Sequence, residues 1–403
     1  MLECMFPPER EEQSCSFTLK AWRSIDQTVT RESLLALDSD AIFSVLTRRI
    51  RPIPFREYLK RYVHEKSGML LPFHTVPLEE YQSVIIEAFR ATGTPCSFTS
   101  GKTALPQAVR NWLTRDAVTR ETVLLLGFGL YMTPEDVNAF LTRALHGSVL
   151  DEEDPSEAVC LYCYRHGYKF AKYRQLMQLL EAMGPDIDAS RIAETQPLHR
   201  PQSQMIIQED TALLARLLKR KAAGDATPLS RRRHDTFLHL CEESARLQDG
   251  ESGKAHAGEF SPRSLEKIFS AGIPLGSGGN LIRETRARLY ADFARKRLSR
   301  QHIHRILSES QPPNRYDLLT LRFYLLSVDL QPLEDRKDAL LRFLAEADET
   351  LTSCGFGEIY AADPFDAFLI LCMLTPDPFG AYADVMEAAY AESGRSGKEE
   401  AYD

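Results

Sequence analysis

Residues 109–130 read VRNWLTRDAVTRETVLLLGFGL, and residues 303–325 read IHRILSESQPPNRYDLLTLRFYL. With one extra residue allowed in the second loop, Leu113 meets Leu307 and Arg120 meets Arg315. Leu124, Leu126, Phe128 and Leu130 then meet Leu319, Leu321, Phe323 and Leu325. Downstream, DPSEAVCLYC at 154–163 meets DPFDAFLILC at 363–372, sharing Asp, Pro, Ala and Cys at equal positions. Two blocks that match in the same order predict an internal duplication. Apolar residues recur in them at three- and four-residue spacing, as on one face of a helix. No segment sustains the two-residue alternation of a half-buried strand. The expected fold is all-α: two related helical units joined by a basic helical segment, with helix-turn-helix-like elements.

The signals at the helix ends agree. Thr119 stands before Arg120, and Thr133-Pro134 precedes Asp136 at the third helical position. Asp154-Pro155, Asp363-Pro364 and Asp377-Pro378 each pair a capping side chain with proline in the first turn, and Asn314 precedes Arg315. Gly127 and Gly129 lie inside a helical pattern, where each costs about 1 kcal/mol relative to alanine. They predict a close approach by another helix. These signals divide the chain into a helical N-terminal region (1–104), a first repeat unit (105–183), a linker and basic segment (184–280), a second repeat unit (281–392) and a disordered tail (393–403).

The chain has 403 residues, 43% hydrophobic and 26% charged, which suits a soluble protein of two or three domains. Its longest apolar run, near Ala367 to Leu374, is far short of the roughly 20 residues of a membrane span, so no membrane partner is expected. Residues 1–13 are acidic and carry proline, unlike a secretory signal, and the expected location is the cytoplasm. The eight cysteines are too few for a disulfide scaffold at this length. Cys160, Cys163, Cys241 and Cys372 sit in apolar helical patterns and are expected to be reduced, buried and metal-free.

The net charge of −8 conceals a polarity. From Arg200 to Arg305 there are 20 Lys/Arg against 12 Asp/Glu, a balance of +8. From Gln311 to Asp403 there are 7 against 18, a balance of −11. A basic middle beside an acidic end fits an anionic partner, and it fits equally two regions that attract one another.

Residues 289–310 read LYADFARKRLSRQHIHRILSES, followed by a loop and NRYDLLTLRFYL at 314–325. This segment resembles the Cro/repressor-type (XRE) helix-turn-helix family. The resemblance covers residues 281–325 and implies a turn at Arg297-Leu298-Ser299. It implies a second helix anchored by Ile303, Ile306 and Leu307, and a supporting helix carrying Leu318, Leu319 and Leu321. It also implies that Arg300, Gln301, His304 and Arg305 face a DNA groove, with Arg295, Lys296 and Arg297 on phosphates. In the first repeat only the later helices correspond, because glycine- and proline-bearing coil at 92–106 stands where the preceding helix would be. The whole chain is also similar to all-helical bacterial proteins carrying both repeats, a likeness that implies architecture and no activity.

Two histidine and cysteine groups have metal-like spacing: Cys160-x-x-Cys163-x-x-His166, and His234-x4-His239-x-Cys241. A zinc site needs four converging ligands, and positions 234, 239 and 241 of one helix point in different directions. Both groups read as core. Gly276-Ser-Gly-Gly279 lacks the lysine and the preceding strand of a phosphate-binding loop. No nucleophile motif or carboxylate pair is in a convincing place. The expectation is a non-enzymatic regulator of transcription that binds duplex DNA, without cofactor or metal and with homodimerisation left open. The alternative is an all-helical repeat adaptor that binds protein and no nucleic acid. What separates them is whether the basic face stays exposed or pairs with Glu346, Asp348 or Glu349.

Overall fold

The computed structural model describes residues 39–48, 53–98, 104–182, 209–219, 228–252, 265, 268, 271, 300–330 and 336–387. These residues are helical with connecting turns, and no strand occurs among them. The chain forms two compact units. One is continuous, Pro54–Leu229, and the other joins Met1–Ile53 to Ser230–Asp403.

The central unit holds α2 (Phe55–Ser67), α3 (Leu78–Thr92), α4 (Leu105–Thr114), α5 (Arg120–Gly129), α6 (Pro134–Ala139), α7 (Pro155–Arg165), α8 (Phe170–Ala182) and α9 (209–219). The expected caps form here. The Thr119 side chain accepts from Thr122 N, and Thr133 and Asp136 make a reciprocal capping box. Helix α6 runs on into a π turn over Phe140–Ala144. The discontinuous unit holds α1 (Ser39–Arg48), α10 (Pro228–Ser252), α11 (Arg300–Leu307), α12 (Arg315–Val328), α13 (Arg336–Ser353), α14 (Pro364–Met373) and α15 (378–387). At the end of α13, Gly355 takes φ +70° so that Phe356 N can reach the Leu351 carbonyl, a left-handed stop that glycine adopts without steric cost.

The expected regions 1–104 and 184–280 are each divided between the units. The apolar stripe of α1, Ile42, Val45 and Leu46, is buried in the core of α12, α13 and α14, whereas α2 and α3 pack on α4. Likewise Leu214, Leu217 and Leu218 of α9 join the central core, and Phe237, Leu240 and Cys241 of α10 join the other. An apolar stripe goes to whichever core buries it, irrespective of chain order.

The two glycines of α5 mark close approaches. A Cβ on Gly127 would lie 2.7 Å from the Tyr164 ring, and one on Gly129 would overlap the buried Phe89 ring. The Tyr164 hydroxyl uses that proximity to donate to the Leu124 carbonyl at 2.6 Å.

Each unit also contains a clamp with the same parts. In the discontinuous unit Arg315, 5% exposed, donates to both oxygens of Asp366 at 2.6 and 2.7 Å and to the Glu358 carbonyl at 3.0 Å. Asp366 Oδ2 also accepts from Tyr360 N at 2.7 Å, and Asp348 accepts from Ile359 N. In the central unit Arg120 donates to both oxygens of Glu157 and to the Ser148 and Val149 carbonyls. Glu157 accepts from Asp151 N, and Asn138 accepts from Leu150 N. Aromatic contacts run in parallel, with Phe128 against Tyr173 and Phe323 against Tyr382. Burial pushes the Asp366 carboxyl up from its ordinary range, and the Arg315 charge opposes that shift.

Two stability predictions follow from this packing. Gly129→Ala is expected to cost about 1–3 kcal/mol, since the displaced Phe89 ring is fully packed. A urea midpoint equal to wild type would contradict the close approach. Removing one partner of a buried pair costs about 3–5 kcal/mol, so Asp366→Ala should destabilise strongly. Glu157→Ala, whose Arg120 partner is 29% exposed and can rehydrate, should cost less in the same denaturation series. The reverse ranking would contradict the account of the clamps.

Candidate nucleic-acid interface

Helix α11 is short and strongly two-sided. Ile303 and Ile306 are buried and Leu307 partly so, while His304 and Arg305 are exposed. Its C-terminal end is closed by local donors to the Arg305 carbonyl: Ser310 N at 3.0 Å, Gln311 N at 3.2 Å and Ser310 Oγ at 3.0 Å. Glu309 turns the chain with φ +56°. Asn314 then opens α12 with a reciprocal capping box to Asp317, and α12 buries Leu318, Leu319 and Leu321.

Two histidines seat α11. His302 Nε2 lies 3.0 Å from Asp317 Oδ2, tying the start of α11 to the first turn of α12. His234 Nε2 of α10 lies 3.0 Å from the Ile306 carbonyl. Asp317 is fully buried, and its Oδ1 has no hydrogen-bond partner among the described residues. Burial raises the Asp317 carboxyl above its ordinary value, with His302 opposing. The hydrogen bond to Asp317 raises His302, against the effect of its own burial. The sequence reading missed this pair. A signal was present, in a histidine one turn into a helix ahead of the Asn314-x-x-Asp317 capping pattern.

Of the residues assigned to DNA, His304 and Arg305 share the exposed side of α11. Arg300 and Gln301 lie in its first turn, where only the helical backbone is described. Arg295, Lys296 and Arg297, with the turn at 297–299, lie outside the described residues. Glu346 pairs with Arg322 at 3.3 Å, Asp348 accepts from Ile359 N, and Glu349 is exposed. Among the described residues no ion pair joins Arg305 or His304 to a carboxylate.

The metal-like groups do not converge. Cys160 and Cys163 are buried, whereas His166 is exposed and stacked on Tyr168. Cys241 is buried, His234 is turned to Ile306, and His239 is exposed beside Glu243. Burial pushes the Cys163 thiol up to about 12 and raises Cys160 and Cys372 as well, so all three are held as thiols. Among the described residues no group of three or more His, Cys, Asp or Glu is placed to hold a metal ion. No helix there is long and apolar enough to cross a membrane.

The central unit presents a different surface. A cleft of about 310 Å³ is lined by Glu57, Lys60, Phe73, His74, Val76, Leu78 and Tyr81. In the neighbouring loop Leu70 is fully exposed and Leu71 half exposed. Comparison with protein-family models, curated proteins and solved structures finds no match to this chain.

The His302–Asp317 pair makes stability depend on pH. Both shifts are upward, so the folded state holds these protons more tightly than the unfolded chain. The His302 contribution is complete below its ordinary value of 6.5 and is lost as pH rises through the raised folded value. The urea midpoint should therefore be higher near pH ~6 than near pH ~8. His302→Gln should flatten that difference, and an unchanged pH dependence in the variant would contradict it.

Proposed function

We propose that this chain is a non-enzymatic DNA-binding regulator of the helix-turn-helix type, acting in transcription. In this reading it is built on a duplicated helical unit of which the second copy carries the recognition helix. The carrying observation is the two-sidedness of α11: Ile303 and Ile306 are buried in the core of the discontinuous unit, while His304 and Arg305 face out and pair with no described carboxylate. The order of a short helix, a loop and a supporting helix rich in buried leucine fits the same reading. The matching clamps of Arg315–Asp366 and Arg120–Glu157 support the duplication.

In the proposed complex α11 lies in the major groove. Arg300 and Gln301 then reach base edges, with His304 and Arg305 at the groove wall. Arginine suits guanine and glutamine suits adenine because each can make two hydrogen bonds to those edges. Arg295, Lys296 and Arg297 hold phosphates, which fixes register without reading sequence.

The adaptor reading has one observation of its own, the exposed Leu70 and Leu71 beside the cleft of the central unit, a surface suited to an apolar segment of a partner protein.

The test uses the full chain and a duplex site selected from a random pool. Arg300→Ala is expected to cost on the order of 1–3 kcal/mol on that site and to relax preference at one base position. Lys296→Ala should weaken all sequences alike and reduce the salt slope by about one. No salt-sensitive affinity for any duplex, together with an Arg300→Ala chain that behaves as wild type, would leave the adaptor reading.

A further inference from the structure

Helix α11 has eight residues, and a helix that short has little stability of its own in water. Its place is set by its anchors: the buried Ile303 and Ile306, the His234 contact at its last turn, and His302 in its first. The His302 anchor is the one that changes with its proton.

His302 Nε2 stands between two groups of the α12 cap. Asp317 Oδ2 lies at 3.0 Å and Asn314 Nδ2 at 3.4 Å. The amide nitrogen only donates and the ionised carboxylate only accepts, so one ring nitrogen cannot serve both at once. A charged ring carries a hydrogen on Nε2 and donates it to Asp317. A neutral ring can carry its hydrogen on Nδ1 instead, and Nε2 then accepts from Asn314. Both partners are themselves held in place. Asn314 Oδ1 accepts from Tyr316 N and Asp317 N, and Asp317 Oδ2 accepts from Asn314 N at 2.7 Å.

The His302 charge matters because Asp317 is fully buried and its Oδ1 has no hydrogen-bond partner among the described residues. A buried carboxylate that loses its cation is costly, and unseating the first turn of α11 lets water reach it. The other groups that act on the pair do not replace that cation. Arg305, on α11 itself, keeps its charge and opposes that of His302. In α10, burial above all, with Glu242 and Asp317, raises the Cys241 thiol, which stays neutral. Gln311 adds a neutral hydrogen bond to the ring. The bond to Asp317 raises His302 against its own burial, so its charge is complete below 6.5 and is lost as pH rises through the raised value.

We infer that His302 is the positioning residue of the groove helix, and that its Nε2, placed between Asp317 and Asn314, makes duplex affinity fall as pH rises. The inference rests on the reading of α11 as the groove-facing helix.

The test measures the affinity of the full chain for a random duplex near pH ~6 and near pH ~8 at one ionic strength. Wild type is expected to bind about fivefold or more tightly at the lower pH, the scale of coupling between two linked sites. His304→Gln removes the exposed ring from the same helix and should keep most of that difference. His302→Gln should abolish it, as should Asp317→Asn, which retains an oxygen for the Asn314 amide. A difference that survives in His302→Gln and vanishes in His304→Gln overturns the inference and leaves the groove reading intact. Nuclear magnetic resonance of the wild-type chain without DNA supplies a second measurement, which needs no variant to fold. The amides of Ile303 to Leu307 are expected to shift with the titration of the His302 ring, at a pH above 6.5. Amides that ignore that titration overturn the positioning role. A wild-type chain without duplex affinity at either pH overturns the groove reading, and the amide titration still judges the role of His302.

Discussion

The bidentate pair of Arg315 and Asp366 holds the discontinuous unit in one arrangement. Both charges are buried, and burial alone disfavours each of them. They are tolerated because nearly every donor and acceptor is used, between the two side chains and on the loop 357–360. That loop has no ladder of its own, so its backbone groups need side-chain partners. Arg315 takes carbonyls, Asp366 takes the Tyr360 amide and Asp348 takes the Ile359 amide. The result fixes α12 against α14, and α12 in turn seats α11 through Asp317 and His302. The exposed side of α11 is thereby set by buried electrostatics two helices away.

Local features of this fold were legible in the sequence, and long-range ones were not. The caps at Thr119, Thr133, Asp154, Asn314 and Asp363 involve residues two or three apart and formed as read. Gly127 and Gly129 also announced their role, since a helical glycine needs a packing reason and Tyr164 and Phe89 supply it. The destination of α1 was not legible. Ile42, Val45 and Leu46 define an apolar stripe, and nothing in a stripe says which core will cover it. Arg120 and Arg315 aligned with each other, but their partners Glu157 and Asp366 lie 37 and 51 residues on and stood among many carboxylates.

At the candidate site the resemblance to the helix-turn-helix family implied Ile303 and Ile306 as anchors and His304 and Arg305 as outward residues, and the structure buries the first two and exposes the others. The contribution of α10 was not legible, because the His234–Ile306 bond joins segments that only folding brings together. Four of the carboxylates behind the charge polarity have structural partners or burial of their own. Of the acidic residues after 311, Asp317, Asp363 and Asp366 are buried as structural groups and Glu346 serves Arg322. Net charge describes steering at long range, and a local face is decided by which charges are already in use.

Amide hydrogen exchange of the full chain, with and without a random duplex at low salt, tests the central claim most directly. The account predicts slowed exchange from Arg300 through Gln311, with the loop around Leu70 unchanged. Protection confined to the loop around Leu70, or no change at any amide, would contradict it.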